Sequence, residues 1–335
     1  MTDRETGLTH ESGLTLEQVP EHLADADRDP VAALLDEVAA ADSVAPVSED
    51  GRLAVAHGKP GSLHLLARDA GGPLIGYLYL GPAEDAGDRT AEVCVAPASR
   101  REGAGRALLS RAVELTEGTL RVWAHGDLPA AKALAARLGF EAVRDLRLLE
   151  LGIGPASDWA RANPTARQTD QPAGHQAKQS AATDPQIRAF RPGVDDEAWL
   201  ALNAAAFAHH PEQGRWTARD LAERMAEPWF DPAGFLLAEQ DGRLAGFHWT
   251  KVHPAGEYGP DPVGEIYVLG VHPDAGGRGL GRRLAAAGLS HLAQSGLGSV
   301  ILYVDGDNTS AVRLYESLGF HTRTTDALYE RPRSG

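Results

Sequence analysis

One pattern is written twice in this chain. Val95-Ala96-Pro97, followed by Arg100-Arg101-Glu102-Gly103-Ala104-Gly105-Arg106, returns as Val271-His272-Pro273 followed by Gly276-Gly277-Arg278-Gly279-Leu280-Gly281-Arg282, at a constant offset of 176. Further on, Leu138-Gly139-Phe140 returns as Leu318-Gly319-Phe320, at an offset of 180. Two motifs repeated in one order and at almost one separation indicate a duplication. The chain has 335 residues, room for two domains of roughly 100–200 residues each. On both sides of residues 152–185 predicted strands alternate with amphipathic helices, which favours an α/β class. That stretch, rich in Ala, Gln, Thr, Pro and Gly, reads as a mobile linker. The expected organisation is a domain at 1–151, a flexible linker at 152–186 and a second domain at 187–333.

Composition excludes several classes. The chain is 43% hydrophobic and 24% charged, and it has no apolar run near the roughly 18 residues that span a bilayer. Its polar start, Met1-Thr2-Asp3-Arg4-Glu5, is followed by no signal core. A cytoplasmic protein without membrane attachment is expected, and a monomer. A single cysteine, Cys94, rules out an intramolecular disulfide. Within Val93-Cys94-Val95 it reads as a buried, inert thiol. No Cys/His spacing suggests a metal site. A net charge of −15 argues against nucleic-acid binding, which depends on Lys and Arg, and suits a cationic small substrate.

The second copy carries the clearer chemistry. Gly264-Glu265-Ile266-Tyr267-Val268-Leu269-Gly270-Val271 has the content of a strand and runs into a glycine-rich loop. A helix follows from about Arg282, with Leu284, Ala285, Leu289 and Leu292 on one stripe. Strand, glycine loop and helix together aim free backbone N–H groups at a phosphate, and Arg278, Arg282 and Arg283 add charge. Taken alone such a loop is as readily a plain turn, and it is neither a dinucleotide-binding fingerprint nor a Walker A motif. Downstream, Ser299-Val300-Ile301-Leu302-Tyr303-Val304 reads as a buried strand. Asn308 then caps a helix with Ala311, Leu314 and Leu318 on its core face and Gly319 past its end.

The loop resembles motif A of the GNAT acetyltransferases, and the string Asn308-x-x-Ala311-x-x-x-Tyr315-x-x-Leu318-Gly319-Phe320 resembles the same family at its usual separation. The resemblance covers roughly 187–329. It implies two tandem GNAT-like domains, each a mixed, mostly antiparallel twisted sheet flanked by helices, with acetyl-CoA as the acetyl donor and no metal. It also implies that Leu269, Gly270, Val271, Gly276, Gly277, Arg278, Gly279, Leu280, Gly281 and Arg282, with Asn308, Thr309, Ser310, Ala311, Val312 and Arg313, hold that donor. By analogy, a bulge around Leu269-Gly270-Val271 splays two strands to admit pantetheine. Gly276 stands where the family has Gln or Arg, which costs a side-chain contact. Amine acetylation needs a base for the ammonium and an acid for the leaving thiolate: Glu265 is the candidate base and Tyr315 the candidate acid. His253 and His272 are further titratable groups nearby, and the first copy has Ala96 in place of His272.

Three stretches outside these shared motifs, 205–214, 227–232 and 246–254, resemble the mycothiol synthase family, tandem GNAT enzymes that acetylate the cysteine amine of cysteinyl-glucosaminyl-inositol in the last step of mycothiol biosynthesis. That resemblance implies substrate contacts from Glu212, Lys251, Glu265 and Tyr303, and from Glu49 of the first domain. By the repeat offsets, Arg89, Leu128 and Ala135 replace Glu265, Asn308 and Tyr315, so the first domain is expected to be non-catalytic. Its loop is intact, and Val93, Cys94, Val95, Arg101, Glu102, Gly103, Ala104, Gly105 and Arg106 could hold a second acetyl-CoA or CoA. Two alternatives stay open: another GNAT amine substrate, such as an aminoglycoside or a protein N-terminus, or a non-catalytic acetyl-CoA-binding regulator, which would need neither Glu265 nor Tyr315.

Overall fold

The structure, a computed structural model, describes residues 5–9, 13–70, 72–164, 185–208 and 211–332. Its elements in the first half are β1 (Glu5–Thr9), β2 (Thr15–Pro20), α1 (Asp25–Asp42), α2 (Glu49–His57), β3 (Leu63–Arg68), β4 (Leu74–Leu80), β5 (Arg89–Val95), α3 (Ala104–Glu114), β6 (Leu120–Ala124), α4 (Pro129–Arg137), β7 (Glu141–Gly152) and α5 (Asp158–Ala162). The second half continues with β8 (Gln186–Ala189), α6 (Asp196–Ala206), α7 (Pro211–Gly214), α8 (Ala218–Met225), β9 (Phe235–Gln240), β10 (Arg243–His253), β11 (Val263–Val271), α9 (Leu280–Gln294), β12 (Ser299–Asp305), α10 (Thr309–Ser317) and β13 (His321–Arg331). Among the described residues no helix is long and apolar enough to cross a membrane.

Two compact units result, and neither is a continuous stretch of chain. The first comprises residues 1–147, 305–307 and 324–335, the second 148–304 and 308–323. The C-terminal part of β13 therefore completes the first unit, and the end of β7 belongs to the second. In the first unit the strand order is β1-β2-β3-β4-β5-β6-β13. Neighbours are antiparallel except β5 and β6, which are parallel. In the second the order is β8-β9-β10-β11-β12-β7, antiparallel from β8 to β11 and parallel between β11 and β12. This is the mixed, mostly antiparallel α/β architecture expected, present twice.

Local sequence accounts for the second unit's frame. Gln240 pairs with Arg243 across a two-residue turn. Asp241 and Gly242 both take positive φ there, 52° and 75°, the shape that joins twisted strands most readily and that Asp-Gly favours. On α9, Leu280, Leu284, Ala285, Gly288, Leu289, Leu292 and Ala293 are buried, which includes the whole stripe read from the sequence. Gly288 allows the helix to approach β10, because a Cβ there would lie 2.0 Å from the His248 ring.

Three expectations need correction. The start of the linker segment is ordered: Ser157 caps α5, and Ile153 and Trp159 are buried in the second unit's core. Residues 165–184 of that segment lie outside the described residues. On α10 the buried residues are Val312 and Tyr315, with Ala311, Leu314 and Leu318 only partly covered. The apolar stripe is read one position off, because Tyr315, against Phe320 at 5.6 Å, sets the helix rotation. The third correction, the place of the strand bulge, belongs to the site.

Candidate active site

The glycine loop has the backbone shape that an anion cradle needs. Gly277 and Gly279 take φ of 75° and 76°, a region that side chains disfavour, and a Cβ on either would meet nothing within 4 Å. Gly279 opens α9 with no side-chain cap. The first-turn N–H groups of α9 therefore have no capping side chain, and they carry the positive end of the helix dipole. Arg282 is not free at the mouth: its guanidinium reaches the Ser317 hydroxyl at 2.6 Å. Asn308 caps α10 as expected, accepting from Ala311 N at 3.1 Å and from the Ser310 hydroxyl at 3.0 Å.

The strand pair beside this loop opens. The parallel ladder between β11 and β12 has only two register pairs, Gly264 with Val300 and Glu265 with Ile301; the corresponding ladder of the first unit has four. The bulge that accompanies the opening lies at Tyr267, between the pairs Trp249–Val268 and Thr250–Ile266. Leu269, Gly270 and Val271, where it was expected, pair regularly with His248, Phe247 and Gly246. Packing explains the shift. Tyr267 and Val268, adjacent in sequence, both face the aromatic core, which only a bulge permits. The Tyr267 ring lies 5.1 Å from Trp229, 5.5 Å from Trp249 and 6.2 Å from Trp216.

Glu265 sits at the point where the ladder ends. It is 8% exposed, so the solvent-facing strand-edge charge that an isolated Glu would suggest is not what is found. Its Oε2 is 2.7 Å from His253 Nε2, and its register partner is Lys251. The Lys251 ammonium lies over the rings of Trp229 and Tyr267, at 5.2 and 5.6 Å, a favourable seat for a cation. Tyr303, two residues beyond the last ladder pair, is 42% exposed, with its hydroxyl 3.3 Å from that of Tyr258. Tyr315 is buried in the core below α10, and burial pushes its phenol well above the ordinary range. A phenol so placed stays protonated.

The second unit thus gathers Glu265, Lys251 and Tyr303 on neighbouring strands. Glu212 lies on α7, its side chain outside the described residues. Glu49 belongs to the first unit, where it opens α2 behind the cap Ser48. Ser48 is held in turn by buried Glu92, which accepts its N–H at 2.9 Å and its hydroxyl at 3.1 Å. Sequence reasoning gives His253 no role and misses Glu257 and Tyr258 altogether. The one signal in the sequence is the Gly- and Pro-rich run at 254–262, which turns β10 back on β11 and makes His253 and Glu265 diagonal cross-strand neighbours.

The repeat positions of the first unit hold other chemistry. Arg89 donates to the carbonyls of Gly61 and Gly81. Leu128 begins α4 with no side-chain cap, and Ala135 is packed in the core. The loop backbone nevertheless persists. Arg101 holds φ of 68° and Gly103 of 99°, where the second copy has Gly277 and Gly279. Arg100 is tied to Asp42 through two hydrogen bonds of 2.7 and 2.8 Å. Cys94 is buried, and burial pushes its thiol up to about 12, as an inert thiol requires.

Comparisons with known proteins bear on the family and the fold. The model for the acetyltransferase (GNAT) family matches residues 198–320, and that for an acetyltransferase (GNAT) domain matches residues 60–142. The chain is 50% identical to a mycothiol acetyltransferase of Geodermatophilus obscurus over 90% of its own length and 94% of the relative's. It is 48% identical to one of Frankia alni over 92% of each chain. Among solved structures, a GCN5-related N-acetyltransferase from Sphaerobacter thermophilus is similar over 98% of both chains, with a TM-score of 0.67 and 21% identity, a likeness of fold.

Proposed function

The chain belongs to the GNAT acetyltransferases, in their mycothiol acetyltransferase family, and from that premise we propose that it acetylates the cysteine amine of cysteinyl-glucosaminyl-inositol, with Glu265 as general base and Tyr315 as general acid. It is an acetyl-CoA-dependent N-acetyltransferase. The observation that carries the finer reading is the burial of Glu265 at the end of the β11–β12 ladder, where the strands part.

The donor's pyrophosphate fits the loop at Gly276 to Gly281, since the space above Gly277 and Gly279 is open and the α9 N-terminus lacks a side-chain cap. Leu269 to Val271, Gly276 to Arg282 and Asn308 to Arg313 are the proposed donor-binding segments. The substrate amine is an ammonium at neutral pH and must lose a proton before it can attack. Glu265 takes that proton, directly or through a water. As the new C–N bond forms and the C–S bond breaks, the Tyr315 phenol gives its proton to the departing thiolate, and the second proton that the acylated nitrogen sheds returns through water to the Tyr315 oxygen. Lys251 and Tyr303 supply donors to the polyol, and Glu212 an acceptor. The first unit is proposed to be non-catalytic, with Arg89 and Ala135 in place of base and acid. Its retained loop, Arg101 to Arg106 after Val93, Cys94 and Val95, is proposed to hold a second acetyl-CoA or CoA.

The test is thiol release from acetyl-CoA over a panel of amines. Cysteinyl-glucosaminyl-inositol should be preferred to free cysteine and to aminoglycosides by orders of magnitude. Comparable rates across the panel contradict the substrate assignment and leave the family intact.

A further inference from the structure

The hairpin that presents Glu265 also holds a group that this scheme leaves idle. His253, the last residue of β10, is 2% exposed. Its Nε2 is 2.7 Å from Glu265 Oε2 and its Nδ1 is 2.8 Å from Glu257 Oε1. The Tyr258 ring stands edge-on against it at 4.7 Å, and the loop carrying Glu257 and Tyr258 is closed by Gly256 N donating to Gly259 O at 2.7 Å. Arg323 fastens the same loop through Tyr258 O at 2.8 Å. The other charged neighbour on these strands, Lys251, is seated over Trp229 and Tyr267.

Both ring nitrogens of His253 therefore have a carboxylate oxygen within hydrogen-bond distance. The ring is thus fixed from outside by Glu257, whose side chain is 46% exposed, and it fixes Glu265 from inside. A carboxylate that accepts from an oriented imidazole presents its remaining lone pairs in one direction, as bases held by a second group do elsewhere.

We propose that His253 is the positioning residue of this reaction, holding the Glu265 carboxylate toward the amine through Nε2, with Glu257 locking the ring at Nδ1. The inference rests on Glu265 being the base. Four variants separate the possibilities: His253→Ala, His253→Gln, Glu257→Gln and Glu265→Gln, each compared with the full-length wild type by kcat, the KM for acetyl-CoA and the pH profile, with thermal melting to report folding. His253→Ala should lose about tenfold or more in kcat, a part of the 10²–10⁴ that a positioned base contributes, with the KM for acetyl-CoA nearly unchanged. Its acid limb should move to higher pH, because a hydrogen bond that favours the carboxylate is gone. In His253→Gln the side-chain amide still donates to Glu265, and much of the rate should return. Glu257→Gln should lose severalfold and shift the same limb less. A wild-type kcat in His253→Ala while Glu265→Gln is slow overturns the positioning role alone. A slow His253→Ala that Gln does not rescue and whose pH limb is unmoved overturns it too, since the loss is then structural. If His253→Ala does not fold, an unshifted limb in Glu257→Gln, with His253→Gln folded yet as slow as Glu265→Gln, overturns the role in its place. A wild-type rate in Glu265→Gln removes the base assignment and this inference together.

Discussion

Single residues decide two different things in this chain. In the second unit Glu265 is a buried carboxylate whose visible partner is an imidazole. In the first, Glu92 is another, bonded to His125 Nε2 at 2.8 Å, while His125 Nδ1 meets Asp326 at 3.0 Å. Burial alone would lower the His125 ring, but the hydrogen bonds to Asp326 and Glu92 outweigh it and hold the ring at about 9. The folded-state value is raised, so the stability it contributes is complete below the unfolded value of about 6.5 and is lost as pH rises through about 9. Thermal unfolding of the wild type should therefore show a loss of roughly 3 kcal/mol between pH 6.5 and pH 9.5, and His125→Gln should flatten that dependence. An equal pH slope in both proteins would contradict the ion-pair reading. Residue types were legible where a motif named them, as with Glu265, Tyr315 and the cap Asn308. The partnerships were not, because His253 reaches Glu265 across a turn and Asp326 reaches His125 through strand exchange, neither of which shows as spacing.

At the scale of elements, helix α9 shows how closely the site depends on packing. Its expected apolar stripe was right because a 3.6-residue period survives in any helix that covers a sheet. The bulge was misplaced because its position depends on where Tyr267 finds room among Trp216, Trp229 and Trp249, a three-dimensional matter. The rotation of α10 failed for the same reason. Gly288 is where α9 touches β10 through His248, whose ring is fully buried and donates from Nδ1 to Leu284 O, 2.8 Å away. A methyl group there has no space. Gly288→Ala should lower stability by about 1–3 kcal/mol, the usual cost of overpacking, measured by urea unfolding, and should raise the KM for acetyl-CoA because the loop before α9 moves with the helix. A variant as stable as the wild type would show that the helix and His248 relax at no cost.

At the scale of the molecule, the duplication was legible from two repeated strings, whereas the exchange at the chain's end was not. Residues 324–331 join the first unit through register pairs from Ala327–Ala124 to Arg331–Leu120. They bury Ala327 and Tyr329 in its core and bring Glu330 to Arg121 at 3.0 Å. No repeat can announce this, since it concerns where a strand pairs and not what it contains. Ending the chain at Arg323 should therefore destabilise the first unit, seen as early proteolysis within residues 13–147. Unchanged protection there would contradict the exchange. The central claim is that the chemistry belongs to the second unit, with Glu265 and Tyr315 transferring protons. Steady-state kinetics with acetyl-CoA and cysteinyl-glucosaminyl-inositol tests it most directly. Glu265→Gln and Tyr315→Phe should each lower kcat by roughly 10²–10⁴-fold with acetyl-CoA binding retained, while Gly103→Glu, in the first unit's loop, leaves kcat near wild type. Near-wild-type kcat in the first two variants with kcat abolished in the third would reverse the assignment.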